Sequence, residues 1–518
     1  MKIDFRKEGK YLPHTWSTCV GAGRACEGLR AEWQRQLKEA VKECGFRYIR
    51  FHGLFAEDMF PINDELESHS YNWYYIDQLY DALLEIGIRP IVELGFMPPA
   101  LASGEGTCFW WKGNITPPKD YDQWKDLVYH LTKHLVERYG LDEVKQWYFE
   151  VWNEPNLHGF WHGTKSQYFK LYEVSVEAIK AVHKDLKVGG PATSNFVPDE
   201  RFDTEVEDVS KQMTHKVEDI DSLSWKGVWI QDFLKFCEEK GLPVDFVSTH
   251  PYPTDFALDG NKVTAGRSRH VDAVYEDITW LKKQIAASAY PDVEIHLTEW
   301  SSSPSSRDYS HDTLAEAAYI VRSNLKCSGM MDSLSYWVFT DIFEERGGGP
   351  EPFHGGFGLI TMHGIKKSSY YAYKMLHQLG EWELERDENS IVTKDENGKV
   401  KALFYHYPKE MNMTIPMVTY GDDTPVDAYM NMGTDQAVQL VLEHTKKNAV
   451  FCLEVVDDAS SPFTVWRKMG KPKNLTREME KTLKSLEHRK LFFYADDEGK
   501  VEISFIMKPW EIAFLSEQ

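Results

Sequence analysis

Short apolar segments alternate with longer amphipathic segments from about residue 15 to residue 380. Several apolar segments are nearly continuous in Val, Ile, Leu and aromatic residues, which is typical of strands buried on both faces of a sheet. The pattern predicts strands over residues 15–20, 47–52, 89–94, 147–152, 187–190, 244–250, 293–299 and 333–340. A buried parallel sheet is therefore expected in this part of the chain.

The segments between these strands carry apolar residues at helical spacing. Leu79, Leu83 and Ile86 repeat every three or four residues and are followed by Gly87, a residue type that commonly ends a helix. The same pattern precedes Gly45 and Gly140, and further helices are expected to start near residues 164, 225, 269, 312 and 368. Strands that alternate with helices in this number predict an α/β fold, a (β/α)8 TIM barrel.

The main alternative is an open, doubly wound sheet. Its glycine-rich fingerprint is defective here, because Gly21 and Gly23 follow the first strand but Cys26 stands where the third glycine would be. The residues best suited to chemistry also fall at the carboxyl ends of many different strands, as they do in barrels. Both observations favour the barrel, which we assign to residues 11–380.

The pattern changes after about residue 380. Segments 390–393, 400–407, 436–443, 449–456 and 500–507 are predicted strands, separated by turns rich in Asp, Asn and Gly, and 474–488 is a predicted helix. We interpret residues 381–518 as an accessory C-terminal β-sandwich domain with a short helical insertion, joined by residues 1–10.

Composition narrows the classes of function. The 518 residues include 59 Lys and Arg against 81 Asp and Glu, which gives a net charge of −22. Such a surface repels phosphate backbones and anionic lipids, so nucleic acid and membranes are poor candidates for partners. Aromatic residues reach 14%, and their flat rings suit ligands with C–H-rich faces, such as sugars.

The cysteines and the N-terminus indicate the cellular compartment. The seven cysteines are scattered and form no C-x-x-C pair, which suggests neither a disulfide framework nor a thiolate metal site. Residues 1–10 (MKIDFRKEGK) have no apolar stretch of the kind found in secretory signals. We therefore expect a cytoplasmic protein.

Two glutamates lie where the fourth and seventh predicted strands end. Glu154 is followed by Pro155, which cannot continue a sheet ladder, and Glu299 precedes a serine-rich loop. Strands four and seven are nearly opposite in a barrel of eight, so the two carboxyl groups are expected to face each other across its mouth. A protonated carboxyl and an ionised one in that arrangement are what glycoside cleavage requires. Glu150, deeper in the fourth strand, is expected to be a hydrogen-bonded interior residue.

These motifs resemble those of a known family. The segment 152–155 (WNEP) looks like the acid/base motif of retaining glycosidases that carry catalytic glutamates on strands four and seven. Segments 51–54 (FHGL), 249–252 (THPY) and 336–345 (YWVFTDIFEE) resemble glycoside hydrolase family 39, and within it the β-xylosidases. The resemblance is strongest from residue 1 to about 380.

The resemblance implies roles for individual residues. Glu154 would be the general acid/base and Glu299 the nucleophile that forms a glycosyl-enzyme. Asn153 would bind the sugar 2-hydroxyl, and His250 and Tyr252 would orient or tune Glu299. The remaining implied pocket residues for the nonreducing-end sugar are His52, Phe109, Phe160, Trp337, Glu344 and Glu345.

The expected activity is that of a retaining exo-β-xylosidase acting on short xylo-oligosaccharides. Other retaining glycosidases of this barrel type, acting on arabinosides, glucosides or α-L-iduronides, remain alternatives, as does a carbohydrate-binding protein without activity. No cofactor or catalytic metal is expected: His158 and His162 have the spacing of a metal pair, but no third ligand accompanies them. Family resemblance also suggests a homo-oligomer, a tetramer.

Overall fold

The structure is a computed structural model that describes residues 1–63, 70–194, 204–208, 228–258 and 264–518. Parallel strands close into a barrel in which each strand pairs with its neighbour in sequence and the eighth pairs with the first. The barrel strands, named β1 to β8 in chain order, are Cys19–Arg24, Tyr48–His52, Arg89–Leu94, Tyr148–Val151, Lys187–Ser194, Phe246–His250, Glu294–Trp300 and Ser333–Tyr336. The predicted (β/α)8 barrel is therefore confirmed, and the open sheet is excluded.

A principal helix follows each barrel strand. These helices, named α1 to α8, are Ala31–Cys44, Tyr74–Ile86, Tyr121–Tyr139, Lys165–Val182, Ile230–Lys240, Ala273–Ala286, Leu314–Cys327 and Ser368–His377. Gly45 and Gly87 cap α1 and α2 with φ of 70° and 94°, a left-handed conformation that glycine adopts without steric cost. Residue 225, near which the fifth helix was expected to start, lies outside the described residues, and α5 begins at Ile230.

Three strand boundaries differ from the sequence prediction by four residues. Thr15–Ser17, predicted as strand, forms a 3-10 turn in which the Thr18 amide donates to the carbonyl oxygen of Thr15 at 3.2 Å, so β1 starts at Cys19. The strand β5 runs on to Ser194 rather than ending at residue 190, and in β8 the regular ladder stops at Tyr336 rather than at Thr340. At the start of β1, a local hydrogen bond thus ended an apolar run that hydropathy alone could not divide.

The barrel interior is apolar at the bottom and charged above. Cys19, Ile91, Tyr148 and Phe246 form a buried apolar layer near the amino ends of their strands. Because successive strand residues point to opposite faces, Glu150 lies on the same face as Tyr148, one layer higher. The charged layers therefore stand on an apolar floor and lead to the carboxyl ends of the strands.

The C-terminal region forms two packed sheets. Its long strands, β9 to β16, are Trp382–Arg386, Ser390–Lys394, Val400–Tyr405, Gln436–Glu443, Val450–Val456, Arg489–Tyr494, Val501–Met507 and Ile512–Glu517. Six of them and Lys10–Tyr11 form a seven-stranded sheet, while Lys2–Asp4, β12 and β15 form a three-stranded one. Within residues 474–488, predicted to be helical, the helix spans Arg477–Lys484.

The larger sheet has two apolar faces. Ala402 and Phe404 of β11 join the core between the two sheets, while Leu403 joins the large core of the barrel and its helices. This alternation follows the strand period of two. It packs the sandwich against the outside of the barrel, where β11 and β16 contact α7.

A helix that spans a bilayer has about 20 predominantly apolar residues. Within the described residues, no helix combines the length and the apolar character needed to span a membrane.

Candidate active site

The two glutamates singled out from the sequence lie together at the carboxyl ends of β4 and β7. Glu154 follows β4 with φ of 45°, and its amide donates to the carbonyl oxygen of Ala192 at 2.8 Å. Glu299 is the penultimate residue of β7. Both side chains line one cavity of about 490 Å³. A carboxylate oxygen of each, together with a ring nitrogen of His250, lies within 4.8 Å of the others.

Glu299 accepts hydrogen bonds from two donors that favour negative charge. Arg50 Nη1 lies 2.5 Å from its Oε1, and the Tyr252 hydroxyl donates to its Oε2 at 3.0 Å. His52 Nε2 lies 3.7 Å from the same carboxylate. Charge-assisted bonds of this kind are stronger than neutral ones, so Arg50 and Tyr252 hold the Glu299 side chain firmly in position.

Glu154 has a different environment. Its Oε1 lies 2.8 Å from His250 Nδ1, and it forms no ion pair with a Lys or Arg of the described residues. Burial raises the pKa of Glu154 to about 7, against the opposing effects of the Ser194 hydroxyl and the imidazole of His52. One carboxyl paired with a buried arginine and one whose pKa is raised by burial is the division of labour between a nucleophile and a general acid.

Arg50 organises the base of the site and was not selected from the sequence. It pairs with Glu93 at 2.8 Å and Glu150 at 2.5 Å, and it donates to Asn153 Oδ1 at 2.8 Å. The guanidinium is fully buried, and its planar donors suit several carboxylates at once. Strand alternation from His52 would have placed Arg50 on the interior face, but its partners lie on other strands and leave no trace in the local sequence.

The chain matches a family model, glycosyl hydrolases family 39, over residues 1–492. This protein belongs to glycosyl hydrolase family 39. Among curated proteins, it is 39% identical to a β-xylosidase of Caldicellulosiruptor saccharolyticus, across 94% of this chain and 91% of that protein. It is 35% identical to a β-xylosidase of Geobacillus stearothermophilus, across 96% and 92%.

Solved structures agree with this assignment. A family 39 enzyme from Xanthomonas axonopodis superposes with a TM-score of 0.86 at 32% identity, covering 100% of this chain and 96% of that one. A monomeric β-xylosidase from Caulobacter crescentus superposes with a TM-score of 0.84 at 32% identity, covering 100% and 99%. The protein is therefore a glycoside hydrolase.

The aromatic residues expected at the family 39 pocket lie around its cavity. The His52 ring stacks against Phe109 with centroids 5.6 Å apart and contacts Trp337 at 4.8 Å. Phe160 lies 5.5 Å from Phe109. All four line the cavity, as do Asn153 and Tyr252. His250 lies beneath Glu154 rather than on the cavity surface.

The two adjacent glutamates expected in the pocket separate. Glu345 lines the cavity, where burial and the nearby Glu299 carboxylate raise its pKa well above the usual range. Glu344 does not line it: its carboxylate pairs with Arg24 at 2.7 Å and Arg30 at 2.5 Å. Glu344 is therefore not brought together with the other predicted pocket residues, because these two arginines bind its side chain, and its role in substrate binding stays a prediction.

Further cavity residues were missed by sequence reasoning, since none of them lies within the motifs singled out from the sequence. They are Cys108, Leu157, Gly159, Ser194, Pro304, Arg346 and Phe357.

The residues that could hold a metal are those of the catalytic pair itself. Within the described ranges, the one group of three or more potential ligands with closely spaced atoms is Glu154, His250 and Glu299. Each already has a hydrogen-bonding partner in the protein. The rings of His158 and His162 stack on each other with centroids 4.3 Å apart and belong to no such group.

Proposed function

We propose that this family 39 enzyme is a retaining β-xylosidase that releases single xylose residues from the nonreducing ends of xylo-oligosaccharides. The observation that carries the proposal is the pair Glu154 and Glu299, which line one cavity with one oxygen of each no more than 4.8 Å apart. Carboxyl groups of retaining glycosidases lie about 5–5.5 Å apart, and those of inverting enzymes about 6.5–9.5 Å. An oxygen pair this close supports the retaining rather than the inverting arrangement.

The proposed reaction has two displacements. In the first, a Glu299 oxygen bonds to the anomeric carbon while Glu154 donates its proton to the leaving oxygen, and the C–O bond to the leaving group breaks. In the second, Glu154 takes a proton from water, the water oxygen attacks the anomeric carbon, and the ester to Glu299 breaks. Glu299 and Glu154 end in their starting protonation states.

The cavity supports a pentose as substrate. Its walls are the rings of Phe109, Phe160 and Trp337, which suit the C–H faces of a sugar, and its polar groups include Asn153 and Glu345. Xylose is uncharged and has no C6 arm. The full-length curated relatives named as β-xylosidases point to the same substrate.

One observation favours a second candidate substrate. Arg346 lines the cavity and would attract the carboxylate of a uronic acid. A human α-L-iduronidase is 33% identical over 172 residues, which is 32% of this chain and 25% of that protein. An α-L-iduronide is therefore included among the test substrates.

The proposal is tested with a panel of p-nitrophenyl glycosides: β-xyloside, α-L-arabinoside, β-glucoside and α-L-iduronide. We expect the xyloside to have the highest kcat/KM and proton NMR to show β-xylose as the first product. A higher kcat/KM for the iduronide would contradict the substrate assignment, and α-xylose as the first product would contradict retention. Absence of turnover on every glycoside would favour a binding protein.

A further inference from the structure

Four buried side chains form a continuous hydrogen-bonded chain that leads away from the catalytic cavity. Glu154 Oε1 lies 2.8 Å from His250 Nδ1, and His250 Nε2 lies 3.1 Å from Thr298 Oγ1. The Thr298 hydroxyl donates to Glu150 Oε1 at 2.8 Å. Thr298 and Glu150 are fully buried and touch neither the cavity nor a ligand position.

The far end of the chain fixes the direction of every hydrogen bond in it. Although burial by itself would raise the pKa of Glu150, the Arg50 guanidinium holds it below its usual range, so Glu150 is an acceptor only. The single hydroxyl proton of Thr298 is used in donating to Glu150. Its oxygen can therefore only accept from His250, which requires a proton on Nε2.

The tautomer of His250 then determines which group donates in its contact with Glu154. Burial lowers the pKa of His250 to about 4, so above that pH the imidazole carries one proton, and Thr298 places it on Nε2. Nδ1 is left with a lone pair directed at Glu154 Oε1. Two acceptors at 2.8 Å repel each other, so this contact is favourable only when Glu154 supplies the proton.

We propose that Thr298 and Glu150 fix the tautomer of His250 and thereby hold Glu154 in the protonated form that acid catalysis needs. The inference rests on the proposed function, in which Glu154 is the general acid. Thr298 acts through His250 and is a positioning residue, not a catalytic one. Thr298 directly precedes Glu299 in β7. The strand that carries the proposed nucleophile therefore also carries the residue that fixes the protonation of the acid.

Other charged groups around Glu154 also affect its titration. They come from β2, β3, β7 and the loops after β6 and β8, and they are Arg50, His52, Glu93, Tyr252, Glu299 and Glu345. A substitution confined to Thr298 leaves all of them in place. A change in the pH profile of such a variant therefore reports the hydroxyl group and not a change of charge.

The test compares Thr298→Val, which removes the hydroxyl, with Thr298→Ser, which keeps it. The substrate is xylobiose, whose poor leaving group requires the acid, and the readout is kcat/KM from pH 4.5 to 9. In Thr298→Val the imidazole is free to move its proton to Nδ1 and to stabilise ionised Glu154. We expect the alkaline limb to move down by about one to two pH units in Thr298→Val, and to stay at the wild-type position in Thr298→Ser.

Thr249→Val is the matched control. Thr249 is a fully buried threonine of β6 whose hydroxyl donates to the Thr193 carbonyl oxygen at 2.6 Å, outside the chain. Thr249→Val also loses a threonine hydroxyl, but it should keep the wild-type pH profile. An unchanged alkaline limb in Thr298→Val, or an equal shift in Thr298→Ser or Thr249→Val, would overturn the inference.

A measurement on the unmodified protein decides the matter if Thr298→Val does not fold. Neutron diffraction from crystals of the full chain in D2O near pH 6 locates the deuterons directly. We expect them on His250 Nε2 and on Glu154, and a deuteron on His250 Nδ1 would overturn the inference. The proposed function is tested separately. It is contradicted if Glu154→Gln retains the wild-type alkaline limb on xylobiose, a result that does not change the deuteron positions.

Discussion

The barrel mouth and the interior of the sandwich are both buried, but the first contains charged side chains and the second apolar ones. The space above the barrel floor holds Arg50, Glu93, Glu150, Glu154 and Glu299, all 6% exposed or less. The core between the two sheets consists of apolar side chains such as Val392, Phe404, Leu453, Ile503 and Leu515. Both regions bury their side chains, but only one of them contains charged groups that lose hydration by being buried.

This difference affects the stability of the two regions, because the barrel mouth buries charged groups that the catalytic site needs. Burying apolar surface is favourable in itself, at about 25 cal/mol per Å². Burying charges is unfavourable unless each is paired, and even a paired group is seldom better than a hydrophobic replacement. The barrel mouth therefore depends on the completeness of its network, while the sandwich depends on packing. The following experiments test that division, starting with the largest expected effect.

Replacing the proposed nucleophile should abolish the reaction at the barrel mouth. We expect Glu299→Gly to lower kcat for p-nitrophenyl β-xyloside by at least about 10⁴-fold, because no other described group can attack the anomeric carbon from its position. Added azide should restore turnover and give an α-xylosyl azide, detected by NMR. Residual activity within tenfold of the wild type would exclude Glu299 as the nucleophile.

Replacing the proposed acid should discriminate between substrates. Glu154→Ala is expected to lower kcat/KM for xylobiose by about 10²–10⁴-fold, since this leaving group must be protonated. A dinitrophenyl xyloside, whose leaving group needs no proton, should lose far less in the same measurement. Equal losses on the two substrates would count against the acid role.

Removing the central cation should expose the dependence of the barrel mouth on pairing. Arg50→Met leaves Glu93, Glu150 and Glu299 without their common partner, and we expect about 3–5 kcal/mol of destabilisation in chemical denaturation. Leu453→Ala in the sandwich core is the matched control, with a cost of about 2–5 kcal/mol from the cavity it leaves.

The two variants should differ in their kinetics. In Leu453→Ala the folded fraction should keep the wild-type kcat/KM, because its cavity lies far from the catalytic pair. In Arg50→Met the folded fraction should lose activity together with stability. If Arg50→Met is as stable as the wild type, the view that the barrel mouth depends on complete pairing is wrong.

The smallest expected effect concerns pH. Burial, with the help of the neighbouring Glu150 carboxylate, raises the pKa of Glu93 to about 8, from an ordinary value of 4.5. Between these two values the folded state binds a proton that the unfolded state lacks, so stability falls as the pH rises. Glu93→Gln should remove up to about 1.4 kcal/mol per pH unit from that slope between pH 5 and pH 8.

Denaturant titrations across this range provide the measurement. Glu502→Gln, which removes a carboxylate from the exposed face of β15, is expected to keep the wild-type slope. An unchanged slope in Glu93→Gln would show that this carboxyl is ionised in the folded protein throughout the range.

Sequence reasoning was most successful where a signal is local. The glycines after α1 and α2 end those helices as expected, and Glu154 lies just beyond the end of β4 at Val151. It was less successful where local hydrogen bonds compete with hydropathy, as at Thr15–Ser17. Glu344 and Glu345 are adjacent in the sequence and were both expected in the pocket. Glu345 lines the cavity, whereas Glu344 does not, because Arg24 and Arg30 bind its side chain.

The amino-acid sequence by itself determined the alternation of strands and helices and the positions of the two glutamates at strand ends. Strand and helix periods arise from backbone geometry, and they are visible in any short window of residues. Only the tertiary structure decided which side chains share a proton or a charge. Arg50 contacts residues from three other strands, and Thr298 reaches Glu154 through His250 on a third strand. Such contacts depend on closure of the barrel, which brings together groups as far as 249 residues apart in the sequence.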